Sequence, residues 1–244
     1  MTKVGGSRIL RFMNLVRTHG VVLRAKNRNE ADRLLTVLSP ELGKILVLSK
    51  GCRKPKSRFL AFSQLFCYGE LIMQPYREIY ILNQAEVKNS FYDIRNDMDR
   101  LYCATYIANL TEEVATIGED NAPLFALLLQ GLSYLSYGNR NPLETTLIYE
   151  LKLMELTGYK PNVTISPALA KLGGGKSGVL DESISIHSET AEIIQEVLES
   201  DHNQAQEISM SEKVRQELNK VLPIYIRQKL DLKILTRSFL DLIP

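Results

Sequence analysis

Residues 49–59 read SKGCRKPKSRF and hold five cations, Lys50, Arg53, Lys54, Lys56 and Arg58, with no acid among them. Lys and Arg at this density can neutralise phosphates, because binding driven by charge density and counterion release tolerates loose side-chain geometry. The plainer reading is a solvated turn. Arg24, Lys26, Arg28 and Arg33 add cations about twenty residues earlier, and Lys44 adds one more. Aromatic residues follow, and rings that face outward could stack on bases at about 1–3 kcal/mol each. Phe59, Phe62, Phe66, Tyr68, Tyr76 and Tyr80 are the candidates. Alternation along a strand sends about half of such rings inward.

Other reactive residue types suggest less. Cys52, Cys67 and Cys103 are odd in number and widely spaced, so neither a disulfide framework nor a thiolate metal site follows from them. His19, His187 and His202 stand apart from one another and show no zinc spacing. GGGKSG at residues 173–178 ends like a phosphate-binding loop. That loop needs glycine where Ala170 stands, and a strand-to-helix setting that the chain does not offer. A glycine-rich turn is the reading, and no catalytic constellation is visible. No enzyme activity, metal or cofactor is expected.

The elements that would carry the cations are short. Residues 20–26, 31–39, 44–50, 63–73 and 78–87 are rich in Val, Ile, Leu, Phe and Tyr, with turn-formers between them. Five short strands without a long intervening helix suit a small closed barrel: the five-stranded OB-fold, or an SH3-like barrel as the alternative. After Phe91 the period changes to that of amphipathic helices, over residues 101–117, 121–138, 141–158, 188–200 and 209–230. Ser188 reads as the start of a capping box. Pro223 should kink or end the last helix. The stripe Leu147, Ile148 or Tyr149, Leu151, Met154 and Leu156 reads as core. Residues 159–187, with prolines, glycines and Ser/Thr, read as an irregular insertion with room for a small hairpin.

The expected fold class is therefore α+β, an N-terminal five-stranded barrel over residues 1–90 followed by a helical domain over 91–244. Charge divides at the same place. Residues 1–90 carry 16 Lys and Arg against 6 Asp and Glu, and residues 91–210 carry 7 against 18. Such asymmetry points to a module for nucleic acid or another anionic surface joined to an acidic one. No run reaches the roughly 18 apolar residues of a membrane span, and MTKVGGSR lacks the layout of an export signal. The expected setting is cytoplasmic.

Several pieces then fall in order. GVVLRAK opens with a VL strand. Glu30, Asp32 and Leu34 form E-x-D-x-L, and Gly43 and Lys44 end a turn as G-K. Lys50, Gly51 and Arg53 form K-G-x-R, followed by more cations. YELKLMELTGYKPN, residues 149–162, adds a helix end like F-E-x-x-L-L-x-x-L-G-Y-x-P, with Tyr149, Met154 and Thr157 in place of its F and two of its leucines. The set resembles the RecO family of bacterial recombination and repair mediators over most of the chain, least over residues 160–210. The resemblance implies an OB-fold, binding of single- and double-stranded DNA, and annealing of complementary strands. It also implies recombinase loading, with RecR, onto strands coated by single-stranded-DNA-binding protein, and so a nucleoid-associated setting.

Two departures matter. Many members place a four-cysteine zinc module after the G-Y-x-P turn, whereas residues 159–187 contain no cysteine. Many carry an Arg before the aromatic-Glu pair, suited to the acidic tail of the coating protein. Leu147 and Ile148 stand there instead, with Lys152 as a substitute candidate. The competing reading is an adaptor whose basic barrel docks an acidic protein and has no nucleic-acid role.

Overall fold

The short apolar runs of the first ninety residues become five strands: β1 (Val16–Asn27), β2 (Arg33–Ser39), β3 (Gly43–Ser49), β4 (Tyr68–Tyr76) and β5 (Ile79–Asn89). In the computed structural model, which describes residues 15–165, 177–181 and 183–230, they close a barrel in the order β1-β2-β3-β5-β4. All pairings are antiparallel except β3 with β5, where Val47 faces Tyr80 and Leu48 faces Ile81. This is the expected OB-type barrel. Val22, Leu35, Val37, Val47, Phe62, Leu71 and Met73 fill it, each worth about 1.5–3 kcal/mol when fully buried.

β4 starts five residues later than the sequence pattern suggests. Residues 59–67 turn instead, with the Ser63 amide donating to the Phe59 carbonyl at 3.0 Å and the Cys67 amide to Gln64 at 3.4 Å. Phe59, Phe62 and Phe66 are therefore spaced as on a helix, three and four apart, and all three are buried. Phe59 and Phe62 enter the barrel core, while Phe66, held at φ 65°, packs against the helices.

A 3₁₀ turn (Tyr92–Asn96) leads into α1 (Met98–Val114), α2 (Ala122–Tyr137) and α3 (Pro142–Leu156). α3 is central and buried nearly all round. The expected core stripe holds except at Leu156, which is exposed. Three short strands, β6 (Val163–Ile165), β7 (Gly178–Leu180) and β8 (Ile184–Ile186), form an antiparallel sheet inside the expected insertion. Residues 173–176 of GGGKSG lie outside the described residues.

α4 (Ser188–Glu199), α5 (His202–Ala205) and α6 (Glu212–Leu230) complete the fold. Ser188 is not a cap: the N-cap is His187, with no side-chain capping bond of its own. The Glu217 carboxylate of α6 takes over, accepting from the His187 amide at 3.0 Å and the Thr190 hydroxyl at 2.6 Å. α6 runs through Pro223 without ending there.

Barrel and helices share one apolar cluster, in which Val21, Leu23 and Leu38 of the barrel meet α1 and α2. The β2–β3 turn also bonds to the α1–α2 connection. The Lys44 amide donates to Thr116 at 2.8 Å, Asn121 to Pro40 at 2.8 Å, and Gly118 to Leu42 at 3.2 Å. Gly43 makes this approach possible. It sits at φ +64°, and a β-carbon there would lie 2.4 Å from the Thr116 carbonyl oxygen. Gly43→Ala should destabilise the protein by about 2 kcal/mol or more, read as a lowered midpoint in urea.

His202 gives a pH dependence. Burial, with help from Lys152 and against Asp201, lowers its imidazole pKa to about 4. Above the ordinary value of about 6.5 the ring is neutral in both states. Below it the unfolded chain takes up a proton that the folded chain refuses, so stability present at pH 7 is lost as pH falls towards 4. Thermal melting should show this loss between pH 6.5 and 4, and His202→Phe should reduce it.

Candidate nucleic-acid interface

The basic segment is a braced loop. Gly51 sits at φ +65°, in the left-handed region that glycine enters without strain. Its amide donates to Asp32 Oδ1 at 2.7 Å. The Arg53 amide donates to the Ala31 carbonyl at 3.0 Å, and the Arg53 guanidinium to the Asn29 carbonyl at 3.0 Å. Arg33 donates to the Ser63 carbonyl at 2.7 Å from the other side. Cys52, 1% exposed, anchors the loop in the barrel core. The β1–β2 turn and the basic loop thus form one unit.

Outward from this unit point the remaining cations. Lys26, Arg28, Lys50, Lys54 and Lys56 are exposed, and their side chains have no hydrogen bond or ion pair with another described residue. Arg58 donates to the Asn83 carbonyl at 2.9 Å and lies 4.7 Å from the centre of the Phe59 ring, a cation–π contact. Beside it runs an open groove of ≈ 460 Å³, lined by Lys50, Arg58, Phe59, Ile72, Leu82 and Asn83 among others. A ribbon of charge with an apolar furrow can bind a polyanion through its phosphates.

Comparison with known proteins agrees with this architecture. A family model described as "Recombination protein O N terminal" matches residues 13–91, and one described as "Recombination protein O C terminal" matches residues 95–238. The chain belongs to the RecO family. Among its relatives, "DNA repair protein RecO" of Acetivibrio thermocellus is 32% identical over 234 residues, covering 90% of this chain and 93% of that protein. The protein of that name from Alkaliphilus metalliredigens is 34% identical over 233 residues, covering 89% and 94%. That of Bacillus subtilis is 28% identical over 241 residues, covering 93% and 94%.

Within this RecO-family chain, two of the candidate cations also meet the helices. Arg24 pairs with Glu112 of α1 at 2.8 Å. The Lys44 ammonium donates to the Glu112 carbonyl at 2.6 Å, near the end of α1 where the helix dipole favours a cation. Both bind the barrel to the helices. Lys152 is likewise engaged. Its side chain is 11% exposed and bridges Glu155, at 3.2 Å, to the Ser200 carbonyl just beyond α4, at 2.7 Å. Leu147 and Ile148, one turn before it, are fully buried.

Of the candidate stacking rings, Tyr76 is the exposed one, with Arg77 over it at 5.5 Å. Tyr68 packs edge-on against Phe125 of α2, and Tyr80 is half-buried. Burial raises the Cys67 thiol pKa to about 11, which leaves it unreactive at neutral pH. Among the described residues no three His, Cys, Asp or Glu side chains converge as metal ligands would. No described helix is long and apolar enough to cross a membrane.

Asp32 and Tyr76 stand in the sequence only as a pattern position and a candidate ring; that Asp32 and Asn29 organise the loop, and that Arg77 lies over Tyr76, appears only in the structure.

Arg24 and Lys44 give a direct contrast with the loop cations. Lys44→Met should cost roughly 1–2 kcal/mol of stability, because the Glu112 carbonyl loses a charged donor. Arg24→Gln should cost no more than about 1 kcal/mol, its partner being buried but itself half-exposed. Urea unfolding measures both.

Proposed function

We propose that the chain is a DNA-binding mediator of recombinational repair. The observation that carries this reading is the set of five exposed cations, Lys26, Arg28, Lys50, Lys54 and Lys56, held together on the braced loop and the adjoining β1–β2 end without acceptors among the described residues. Like charges kept together and unpaired repel one another, and a polyanion relieves that repulsion. Arg53, Arg58 and Arg33 contribute charge while serving as braces. Arg24 and Lys44 contribute mainly to the barrel–helix joint. The name shared by the relatives, DNA repair protein, points the same way.

A surface that binds through charge suits single and double strands alike. Annealing follows from the same physics. Two complementary strands repel through their phosphates, and a basic surface that screens both lets pairing nucleate. Loading of recombinase onto strands coated by single-stranded-DNA-binding protein, together with RecR, fits a protein with a basic barrel and a separate helical region. The work is non-enzymatic and takes place on the nucleoid in the cytoplasm.

The test is salt dependence. Each phosphate contact contributes about 0.7 (single strand) to 0.9 (duplex) to the slope of log affinity against log salt. Replacing Arg28, Lys54 and Lys56 together by Glu should flatten that slope by about two units or more and slow strand annealing. Unchanged DNA affinity in this variant, with an acidic protein bound instead, would favour the adaptor reading.

A further inference from the structure

The basic surface contains one acid whose position is unlike that of its neighbours. Glu30 is exposed in the β1–β2 turn and makes no bond to another described residue. Asp32, two residues on, is half-buried. One carboxylate oxygen accepts the Gly51 amide at 2.7 Å, and the other accepts from the Asn29 side chain at 3.4 Å. Its own backbone carbonyl accepts from the Arg28 amide at 3.1 Å. The Asn29 carbonyl in turn receives the Arg53 guanidinium at 3.0 Å. Asp32 therefore joins the turn that carries Lys26 and Arg28 to the loop that carries Lys50, Lys54 and Lys56.

We propose that Asp32 is a positioning residue for the anion-binding surface: through the Gly51 amide it holds the two basic segments in register, so that an acid inside the interface strengthens binding to a polyanion. The proposal rests on the DNA-binding reading above for its affinity arm. Its structural arm is independent of DNA.

Charge alone and positioning predict opposite outcomes. Removing an acid from a basic surface should tighten DNA binding whatever replaces it. Positioning requires an acceptor at the Asp32 Oδ1 site and is indifferent to the charge. Asp32→Asn keeps a carbonyl oxygen there, while Asp32→Ala removes both acceptor and charge. Glu30→Gln removes only charge from the same turn.

DNA affinity would be titrated against salt with a labelled single-stranded oligonucleotide. Glu30→Gln and Asp32→Asn should bind as tightly as the parent or tighter. Asp32→Ala should bind on the order of tenfold more weakly, as loss of one bracing hydrogen bond allows, with a salt slope shallower by about one. If Asp32→Ala binds as tightly as Asp32→Asn, the proposal fails.

Trypsin supplies the second readout, on DNA-free protein and below the melting transitions of all variants. Lys50, Arg53, Lys56 and Arg58 are cleavable in a loosened loop, whereas Lys54 is protected by Pro55. Cleavage within residues 50–58 should speed up in Asp32→Ala by tenfold or more and stay near the parental rate in Asp32→Asn. Equal rates in the two variants overturn the proposal whatever the DNA result. If triple charge reversal leaves DNA affinity unchanged while Asp32→Ala still opens the loop, the DNA-binding reading fails and the positioning role of Asp32 stands.

Discussion

The parallel pairing of β3 with β5 is the constraint on which the rest of the barrel depends. It is carried by two residue pairs, Val47 with Tyr80 and Leu48 with Ile81. Parallel neighbours cannot be joined by a hairpin. The chain must leave β3, travel round the closed wall and enter at β4, which pairs with β1 and β5. Residues 50–67 make that journey. Their first half runs along the outside, where Lys, Arg and Pro are at ease in solvent. Their second half turns inward, and Phe59 and Phe62 fill space that the strand side chains leave open. The basic loop and the aromatic run are thus two halves of one connection.

A loop of like charges has to be held by something other than attraction among its own side chains. Here the holding groups are largely backbone: the amides of Gly51 and Arg53, and the carbonyls of Asn29 and Ala31. Ordinary ionic strength limits the repulsion that remains, since exposed charges more than about 8–10 Å apart are largely screened. The same economy appears at the joint between barrel and helices. Glu112 is almost fully buried, and it is acceptable there because Arg24 meets its carboxylate and Lys44 its carbonyl. The positive excess of the first ninety residues is therefore divided, part of it facing solvent and part closing the fold.

The barrel was readable because its strands are short runs rich in Val, Ile, Leu, Phe and Tyr with turn-formers between them. The helices were readable from their three-to-four spacing. What escaped were features decided by tertiary partners. Residues 63–67 look like strand because Leu, Phe and Cys favour one, but Phe66 is turned to φ 65° by a bond from its amide to Val22 and by burial among the helices. Ser188 has the type and position of a cap, yet Glu217, about thirty residues away, does that work. Arg24, Lys44 and Lys152 carry the same charge as Lys54 and Lys56, and only their neighbours in space separate a joint from a free surface.

The same distinction clarifies the family pattern. Gly51 and Arg53, with Asp32, are among the residues that mark the likeness, and in the structure they build the loop. Lys26, Arg28, Lys54 and Lys56 argue by charge alone, and their side chains bond to no other described residue, while Lys50 belongs to both groups. Phosphate binding through counterion release requires a cation in the neighbourhood and little more, so the contacting positions are free to vary in residue type and exact place. A hydrogen bond from a left-handed glycine to one particular carboxylate has no such freedom. A sequence pattern for this kind of surface therefore records the scaffold more strictly than the exposed cations, and the cations proposed above to meet nucleic acid are those that the described residues leave without a partner.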